Sequence, residues 1–393
     1  MHTQVKKATL KPGKEVSILR KHPWVFSGAI KEMADTTVGD WVKVYDSQKK
    51  LLGVGHVGDG SIAIRMLAFE AIVPSIQFWK MRLENCLKVR ELLGYLQGKD
   101  NNAFRLVHGE GDGLPGLIID IYNDCAVLQA HSHGMLNCLD EIAQAIQLIE
   151  TLRLSTIYNK STAAMHGQST QDGFLLGNSP ETIALENGLQ FKVNWITGQK
   201  TGFFLDQRDN RNLLRQFAKG RSVLNTFCYT GGFSVAALKG GASEVFSVDI
   251  SGIAVAMANE NVGLLKLNAN QKHTSRVADV IQYLREEEKQ FDIVVIDPPA
   301  FAKSLAKKHN AVMGYKRLNT LGILRVQSGG LLFTFSCSQV INDSLFANTI
   351  TAAGIAAGRN CRILYRLGQG ADHPVNLYHP EGHYLKGLVL LVD

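Results

Sequence analysis

The chain has 393 residues, 45% of them hydrophobic and 20% charged, which exceeds the size of a single growing core and predicts two or three well-packed domains. No run of 18 apolar residues occurs and the first residues, MHTQVKKATLKPGKE, lack an apolar signal segment, so a membrane span is excluded and the cytoplasm is expected. The net charge of +7 points to an anionic partner, while six scattered cysteines without a CxxC pair exclude a zinc site and a disulfide framework.

The charge is concentrated early, in Lys6, Lys7, Lys11, Lys14, Arg20, Lys21 and Lys31. Across 14–67, short β-branched runs such as WVKVYD and SIAIRML alternate with glycine turns, which predicts a small β-barrel. Lys21, His22 and Trp24 mix cations with aromatic faces, as stacking on bases beside phosphates requires. The competing reading is a strand edge with Trp24 and Phe26 in the core.

A middle region follows. Apolar residues at helical spacing predict a helix over 74–96, and a glycine-dense loop over 104–117 leads into a strand over 117–122. A strand over 125–131, a helix over 135–151, a strand over 155–159 and hairpin material over 174–193 complete an α+β region. The glycine loop precedes a strand instead of opening a helix, so it reads as a structural turn and not as a phosphate cradle.

From 196 onward, strands and helices alternate. Strands are expected over 222–225, 244–249, 276–278, 291–296 and 330–336, with helices ending near 219 and spanning 232–237, 252–265, 280–287 and 314–324. Runs such as FDIVVID imply a parallel sheet covered on both faces, whose ligands sit at the carboxyl ends of the strands.

Those strand ends carry the chemistry. NTFCYTGG, from Asn225 to Gly232, forms a tight turn whose glycines let backbone approach a ligand. Asp249 ends the next strand, where a carboxylate can accept from both ribose hydroxyls, and Asp279 ends the third, within reach of an adenine amino group. Each aspartate alone could merely cap a helix. Their joint order fits an adenosine ligand, and the absence of GxGxxG argues against a dinucleotide.

Asp297-Pro298-Pro299 ends the fourth strand in a stiff turn with free carbonyls, suited to the edge of a planar base on which Phe301 could stack. Cys337 ends the fifth strand, in LLFTFSCS. Carbon 5 of cytosine is too poor a nucleophile to take a methyl group until a thiolate adds at carbon 6, so that reaction requires a cysteine. A buried packing role is the alternative for Cys337, and it is the favoured reading for Cys228.

Taken in order, KHPWVFSGAI, RLVHGEGDGLPGLIID, TGQKTGFFLDQRDNR, NTFCYTGGFS, DPPAFAKS, FSCS, ADHPV and YLKGL make the chain resemble, over nearly its whole length, the bacterial large-subunit (23S) ribosomal RNA cytosine-5 methyltransferases that carry an N-terminal PUA domain. The resemblance implies an α/β fold: a PUA-like domain over 1–72, an α+β middle domain over 73–195, and a Rossmann-like class I methyltransferase domain over 196–393. It implies S-adenosyl-L-methionine as cofactor, held by Asn225, Phe227, Tyr229, Thr230 and Gly231 in the first turn, by Asp249, Ile250 and Ser251, and by Asp279 and Asp297. Phe203, Asp206 and Arg208 would close over it. Cys337 would be the nucleophile, Asp297 would lie between cofactor and base, and Lys21, His22, Trp24, Pro298 and Phe301 would contact ribosomal RNA. Many cytosine-5 RNA methyltransferases have a cysteine after the proline of the fourth-strand motif. Pro299 stands there in this chain, so the group that removes the carbon 5 proton is open and Asp297 is a candidate. No metal or membrane partner is expected, and a homodimer is compatible with the chain. Two other readings stay open: a guanine-nitrogen methyltransferase, whose relatives end the later strand in asparagine, and a non-catalytic RNA-binding protein.

Overall fold

The computed structural model describes residues 5–96, 99–165, 170–302 and 304–393. It divides into two compact units. One comprises residues up to Ala184 together with Val193–Phe203 and Ala371–Gly382; the other comprises Leu185–Lys192, Phe204–Gly370 and His383–Asp393.

In the first unit, β1 (Lys6–Leu10), β2 (Trp24–Phe26), β3 (Ile30–Met33), β4 (Trp41–Tyr45), β5 (Leu51–Val57) and β6 (Ile62–Ala68) form one sheet in the order β2-β6-β5-β4-β1-β3. Only the β1–β4 pairing is parallel. Register shifts at Thr9/Leu10, Val25/Phe26, Val44/Tyr45 and Val54/Gly55 bend individual strands. The core beneath them holds Leu10, Val25, Val42, Val44 and Ile64, with Ile18 from the short α1 (Val16–Leu19). The first strand begins at Lys6, earlier than the expected start at residue 14.

α2 (Ile76–Leu92) starts where the Ser75 hydroxyl accepts from the Phe78 amide at 3.2 Å, and it buries Phe78, Trp79, Leu83, Cys86 and Leu87. It belongs to a core that also takes Trp41, Leu67 and Phe104. A second sheet follows, with β7 (Ala103–His108), β8 (Leu117–Tyr122), β9 (Cys125–Ala130), β10 (Thr156–Asn159) and β11 (Gly173–Leu176) in the order β11-β10-β9-β8-β7. Here the expected loop over 104–117 is corrected. Its first half is β7, paired antiparallel with β8 from Ala103 opposite Tyr122 to His108 opposite Ile118, and the turn begins only at Gly109. The single helix expected over 135–151 is two, α3 (His133–Asn137) and α4 (Leu139–Gln147), which meet at Cys138. β12 (Glu181–Glu186) and β13 (Leu189–Asn194) form a two-stranded hairpin.

The second unit carries a seven-stranded sheet made of β14 (Ser222–Thr226), β15 (Glu244–Asp249), β16 (Lys272–Val277), β17 (Phe291–Ile296), β18 (Val326–Ser336), β19 (Cys361–Leu367) and β20 (Lys386–Val392). The order is β16-β15-β14-β17-β18-β20-β19, with β14 to β18 parallel and the β20 pairings antiparallel. Its helices are α5 (Arg208–Phe217), α6 (Gly232–Lys239), α7 (Gly252–Gly263), α8 (Val280–Glu286), α9 (Lys308–Leu324) and α10 (Asp343–Ala357). Val294, Val295, Ile296, Leu332 and Phe333 are fully buried on successive positions, so both faces of these strands are covered. Each such side chain contributes roughly 1.5–3 kcal/mol of burial. Strand order reverses between β14 and β17, and a crevice for ligands opens at that switch point in folds of this kind. Among the described residues, no helix is long and apolar enough to cross a membrane.

Candidate active site

The parallel register fixes what can meet. Thr226 pairs with Val248 on one side and Ile296 on the other, Asp249 pairs with Val277, and Ile296 pairs with Thr334. The turns after β14, β15 and β17 and the residues after β18 therefore emerge along one edge of the sheet. Asn225 to Gly231, Asp249, Asp279, Asp297 and Cys337 all lie there.

The turn after β14 is strained. Phe227 and Tyr229 adopt left-handed backbone with φ of 54° and 45°, a conformation that side-chain-bearing residues hold only when their surroundings impose it. Asp249 supplies part of that hold: one carboxylate oxygen accepts from the Tyr229 amide at 3.0 Å and the other from the Ser251 amide at 2.9 Å. Gly231 has φ +78°, and a Cβ there would meet the Ala258 Cβ at 2.9 Å and its Cα at 3.0 Å, so only glycine lets α7 come this close. Thr230 is buried, and its carbonyl accepts from Asn261 at 2.8 Å.

Asn225 is buried too. Its amide donates to Ser234 Oγ at 2.8 Å, which continues through Ser247 to His273, while Asn225 Oδ1 has no hydrogen-bond partner among the described residues. Ile250 is 69% exposed and Val277 55% exposed, an apolar ledge on either side of Asp249. A pinned carboxylate with lone pairs to spare, an orphaned acceptor and an exposed apolar ledge suit a nucleoside whose ribose hydroxyls need acceptors and whose base needs a flat surface. Asp279 caps α8, accepting from the Gln282 amide at 2.9 Å through one oxygen.

Asp206 and Arg208 are both buried. Asp206 accepts from the Tyr384 hydroxyl at 2.7 Å, and Arg208 lies 3.7 Å from Glu186, which Arg211 grips through two bonds of 2.7 and 2.6 Å. Phe203 belongs to the first unit, where its carbonyl accepts from Tyr122 at 3.2 Å. Its neighbour Phe204, which the sequence reading passed over, meets Tyr229 edge-on at 5.1 Å.

Cys337 and Cys361 are the two partly buried thiols, and of these Cys337 lies on the sheet edge that carries Asp249. Burial pushes Cys86, Cys125, Cys138 and Cys228 up to about 12, and raises Cys361, which leaves those sulfurs protonated and inert. Cys337 is only partly buried, and its Sγ lies 4.0 Å from the Pro298 carbonyl oxygen. Ser338 Oγ donates to the Ala302 carbonyl at 2.7 Å, tying the segment after Cys337 to the one after the two prolines. Pro298 is buried and Pro299 exposed. Phe301 packs on α9, its ring 4.6 Å from that of Tyr315. Tyr315, fully buried, was not anticipated from the sequence. Its phenol is raised by burial, with Cys337 and Asp297 adding to the effect, which places both groups in its electrostatic neighbourhood. Lys303 of the DPPAFAKS run lies outside the described residues.

In the first unit, Lys21 has left-handed backbone with φ 65°, and its ammonium sits 4.8 Å above the Phe69 ring. Both line a cleft of about 390 Å³ shared with Arg82 and Tyr378. His22 Nδ1 accepts from the Trp24 amide at 3.1 Å. Trp24 is half-buried and donates to Glu110 at 2.9 Å, with its ring edge-on to His379 at 4.3 Å. Val25 is the residue of β2 that enters the core, and Phe26 is exposed. Among the described residues, no group of three or more His, Cys, Asp or Glu could hold a metal ion.

Comparison with known proteins agrees with this architecture. Residues 165–359 match the model of an S-adenosylmethionine-dependent methyltransferase family, and residues 8–69 match that of a PUA-like domain. The chain is 39% identical to the ribosomal RNA large subunit methyltransferase I of Tolumonas auensis, covering 97% of this chain and 98% of that protein. It is 40% identical to the protein of that name from Alteromonas mediterranea, covering 97% of each. A solved SAM-dependent methyltransferase from Streptococcus mutans superimposes with a TM-score of 0.83 at 24% identity, over 98% of this chain and 99% of that one, which shows the shared fold. A methyltransferase structure complexed with SAH gives the same score, identity and coverage. The cofactor is S-adenosyl-L-methionine. The chain belongs to the ribosomal RNA large subunit methyltransferase I family, S-adenosylmethionine-dependent methyltransferases of the class I fold with an N-terminal PUA-like domain.

Proposed function

We propose that this protein methylates carbon 5 of a cytosine in large-subunit (23S) ribosomal RNA through a transient covalent bond from Cys337. The observation that carries the reading is where Cys337 stands. Cys337 follows β18, partly buried, beside the Pro298 carbonyl and on the sheet edge that carries Asp249, whereas Cys361, the other partly buried thiol, lies at the opposite end of the sheet, level with Gly330. S-adenosylmethionine, when bound, supplies a methyl group on a positively charged sulfur. Asp249 holds the ribose, the Ile250 and Val277 ledge takes the adenine, and the uncommitted oxygen of Asp279 meets the adenine amino group. The turn from Phe227 to Gly231 receives the remainder. Asp206 and Arg208, both buried and engaged, position the segment before α5 over this crevice.

On the substrate, the Cys337 thiolate adds to carbon 6 and the electron pair moves to carbon 5, which attacks the methyl. A base then removes the carbon 5 proton, the pair returns to the ring and the thiolate leaves. Asp297 is our candidate for that base, with the Pro298 carbonyl and Phe301 aligning the ring. Lys21, His22 and Trp24 of the PUA-like domain bind RNA. We divide the chain at 72 and 195 and place its work in the cytoplasm. Mass mapping of ribosomal RNA from cells with and without the gene tests the reading. A single lost 5-methylcytosine in the large-subunit RNA supports it, and a lost methylguanine or an unchanged map overturns it.

A further inference from the structure

Lys386 is a buried cation that makes no ion pair among the described residues. It is 2% exposed, and among the described residues no carboxylate lies within ion-pairing distance of its ammonium. Its two hydrogen bonds go to carbonyls, that of Ser338 at 2.8 Å and that of Tyr384 at 2.6 Å. An ammonium has three donors, so one is uncommitted. A buried charge left in this state is unfavourable unless a counter-charge completes it.

The fold indicates which group that is. Lys386 opens β20 directly opposite Ser336 of β18, and its ammonium bonds the carbonyl of Ser338, so it brackets the one residue between them, Cys337. Burial lowers the Lys386 ammonium, while Asp343 and Cys337 oppose that shift, as anions nearby would. The other ionisable groups around the pair are few. Tyr315 from α9 is held neutral by burial, Asp297 follows β17, Tyr384 precedes Lys386, and Asp343 at the start of α10 is 3.1 Å from His383.

We propose that Lys386 is a positioning residue whose buried ammonium pairs with the Cys337 thiolate, keeping that sulfur ionised near neutral pH and aimed at the substrate ring. The inference rests on reading Cys337 as the nucleophile. In the free enzyme the thiol proton passes to solvent and the ammonium keeps all of its own; no proton moves from sulfur to nitrogen. During turnover the pair breaks as the carbon–sulfur bond forms and reforms when the thiolate leaves. Protonation of the departing sulfur is thereby disfavoured, and the site is ready for the next substrate.

The test is the rate of iodoacetamide alkylation of Cys337 in the full-length protein, followed by peptide mass analysis from pH 5.5 to 9.5. In the wild type, the midpoint is expected at least one pH unit below the ordinary thiol value of about 8.5. Lys386→Met, which removes the charge and keeps the chain length, should raise the midpoint by at least one unit and slow alkylation at pH 7 about tenfold. Lys386→Arg should keep most of the wild-type rate. A wild-type midpoint at or above about 8.5 overturns the proposal without any variant, so a Lys386→Met protein that fails to fold does not shield it. Equal midpoints in wild type and Lys386→Met overturn it as well. Retained methyl transfer by Cys337→Ala would instead defeat the reading of Cys337 as nucleophile, whatever the alkylation profile shows.

Discussion

Replacing Asp249 by alanine separates cofactor binding from folding with a magnitude that follows from the geometry. The carboxylate makes two short bonds to backbone amides, 3.0 Å to Tyr229 and 2.9 Å to Ser251, and each oxygen keeps a lone pair for a ribose hydroxyl. A hydrogen bond to a charged group is worth roughly 1.5–3 kcal/mol. Asp249 is only partly buried, so solvent competes and the lower end applies: two ribose bonds give about 3 kcal/mol, or roughly a 150-fold weaker Kd. Loss of the amide anchors also releases the left-handed Phe227 and Tyr229, which weakens binding further. Asp249→Asn keeps one acceptor and should lose about half as much free energy. Calorimetric titration with S-adenosylhomocysteine measures both variants, and urea unfolding verifies that they fold. A Kd within threefold of wild type in a folded Asp249→Ala protein would refute the ribose assignment.

Two further outcomes follow from the first unit. Lys21→Ala combined with Trp24→Ala should weaken binding of large-subunit RNA fragments at least tenfold while the affinity for S-adenosylhomocysteine stays within twofold; filter binding at fixed salt checks the first, and unchanged RNA affinity would confine both residues to packing. Burial pushes the His56 imidazole down to about 3 and that of His131 to about 4, from an ordinary value of 6.5. Between those values the unfolded chain takes up protons that the folded chain refuses, so stability is complete above pH 6.5 and falls as the solution is acidified. His56 alone should cost about 2 kcal/mol between pH 7 and pH 5. Urea unfolding at pH 7, 6 and 5 should show a shallower pH dependence for His56→Gln than for wild type, and identical slopes would contradict the buried neutral state.

The sheet edge was legible because β17 and β18 carry continuous apolar runs and the turns that follow β14, β15 and β17 carry glycine, proline and aspartate. β17, over FDIVVI, was expected with the bounds observed. Segments without such a signal went unread. β16, KHTSRV, is an edge strand with no buried position, so only its last residues were anticipated, and β19, CRILYRL, has none either. α10 is rich in alanine, and its buried positions Phe346, Thr349, Ile350, Ala353 and Gly354 mix large apolar residues with small and polar ones, which hid it from periodicity. α9 begins at Lys308, ahead of the expected start at 314, and its polar first turn carries no apolar signal, Ala311 being the first residue it buries. β7 looks like loop in the sequence because it is followed at once by the glycine-dense stretch from Gly109.

At the site, residue types were readable and partnerships were not. DPP and FSCS could be found by eye, but the left-handed turn at Phe227 and Tyr229, the phenol of Tyr315 and the ammonium of Lys386 acquire meaning only once β14, α9 and β20 are in place. Asp279 shows the converse. Its capping bond to Gln282 is the local role that any aspartate before a helix offers, and no sequence pattern could say whether its second oxygen does more.

The covalent step can be trapped directly. Fluorine at carbon 5 of cytosine cannot leave as a proton does, so large-subunit RNA containing 5-fluorocytidine should arrest the reaction after methyl transfer, with Cys337 still bonded to carbon 6. Incubation with S-adenosylmethionine, denaturing electrophoresis and peptide mapping should give an RNA–protein adduct on Cys337 that is absent from Cys337→Ala. A wild-type enzyme that methylates unmodified RNA yet forms no adduct, or an adduct that persists in Cys337→Ala, would contradict the mechanism.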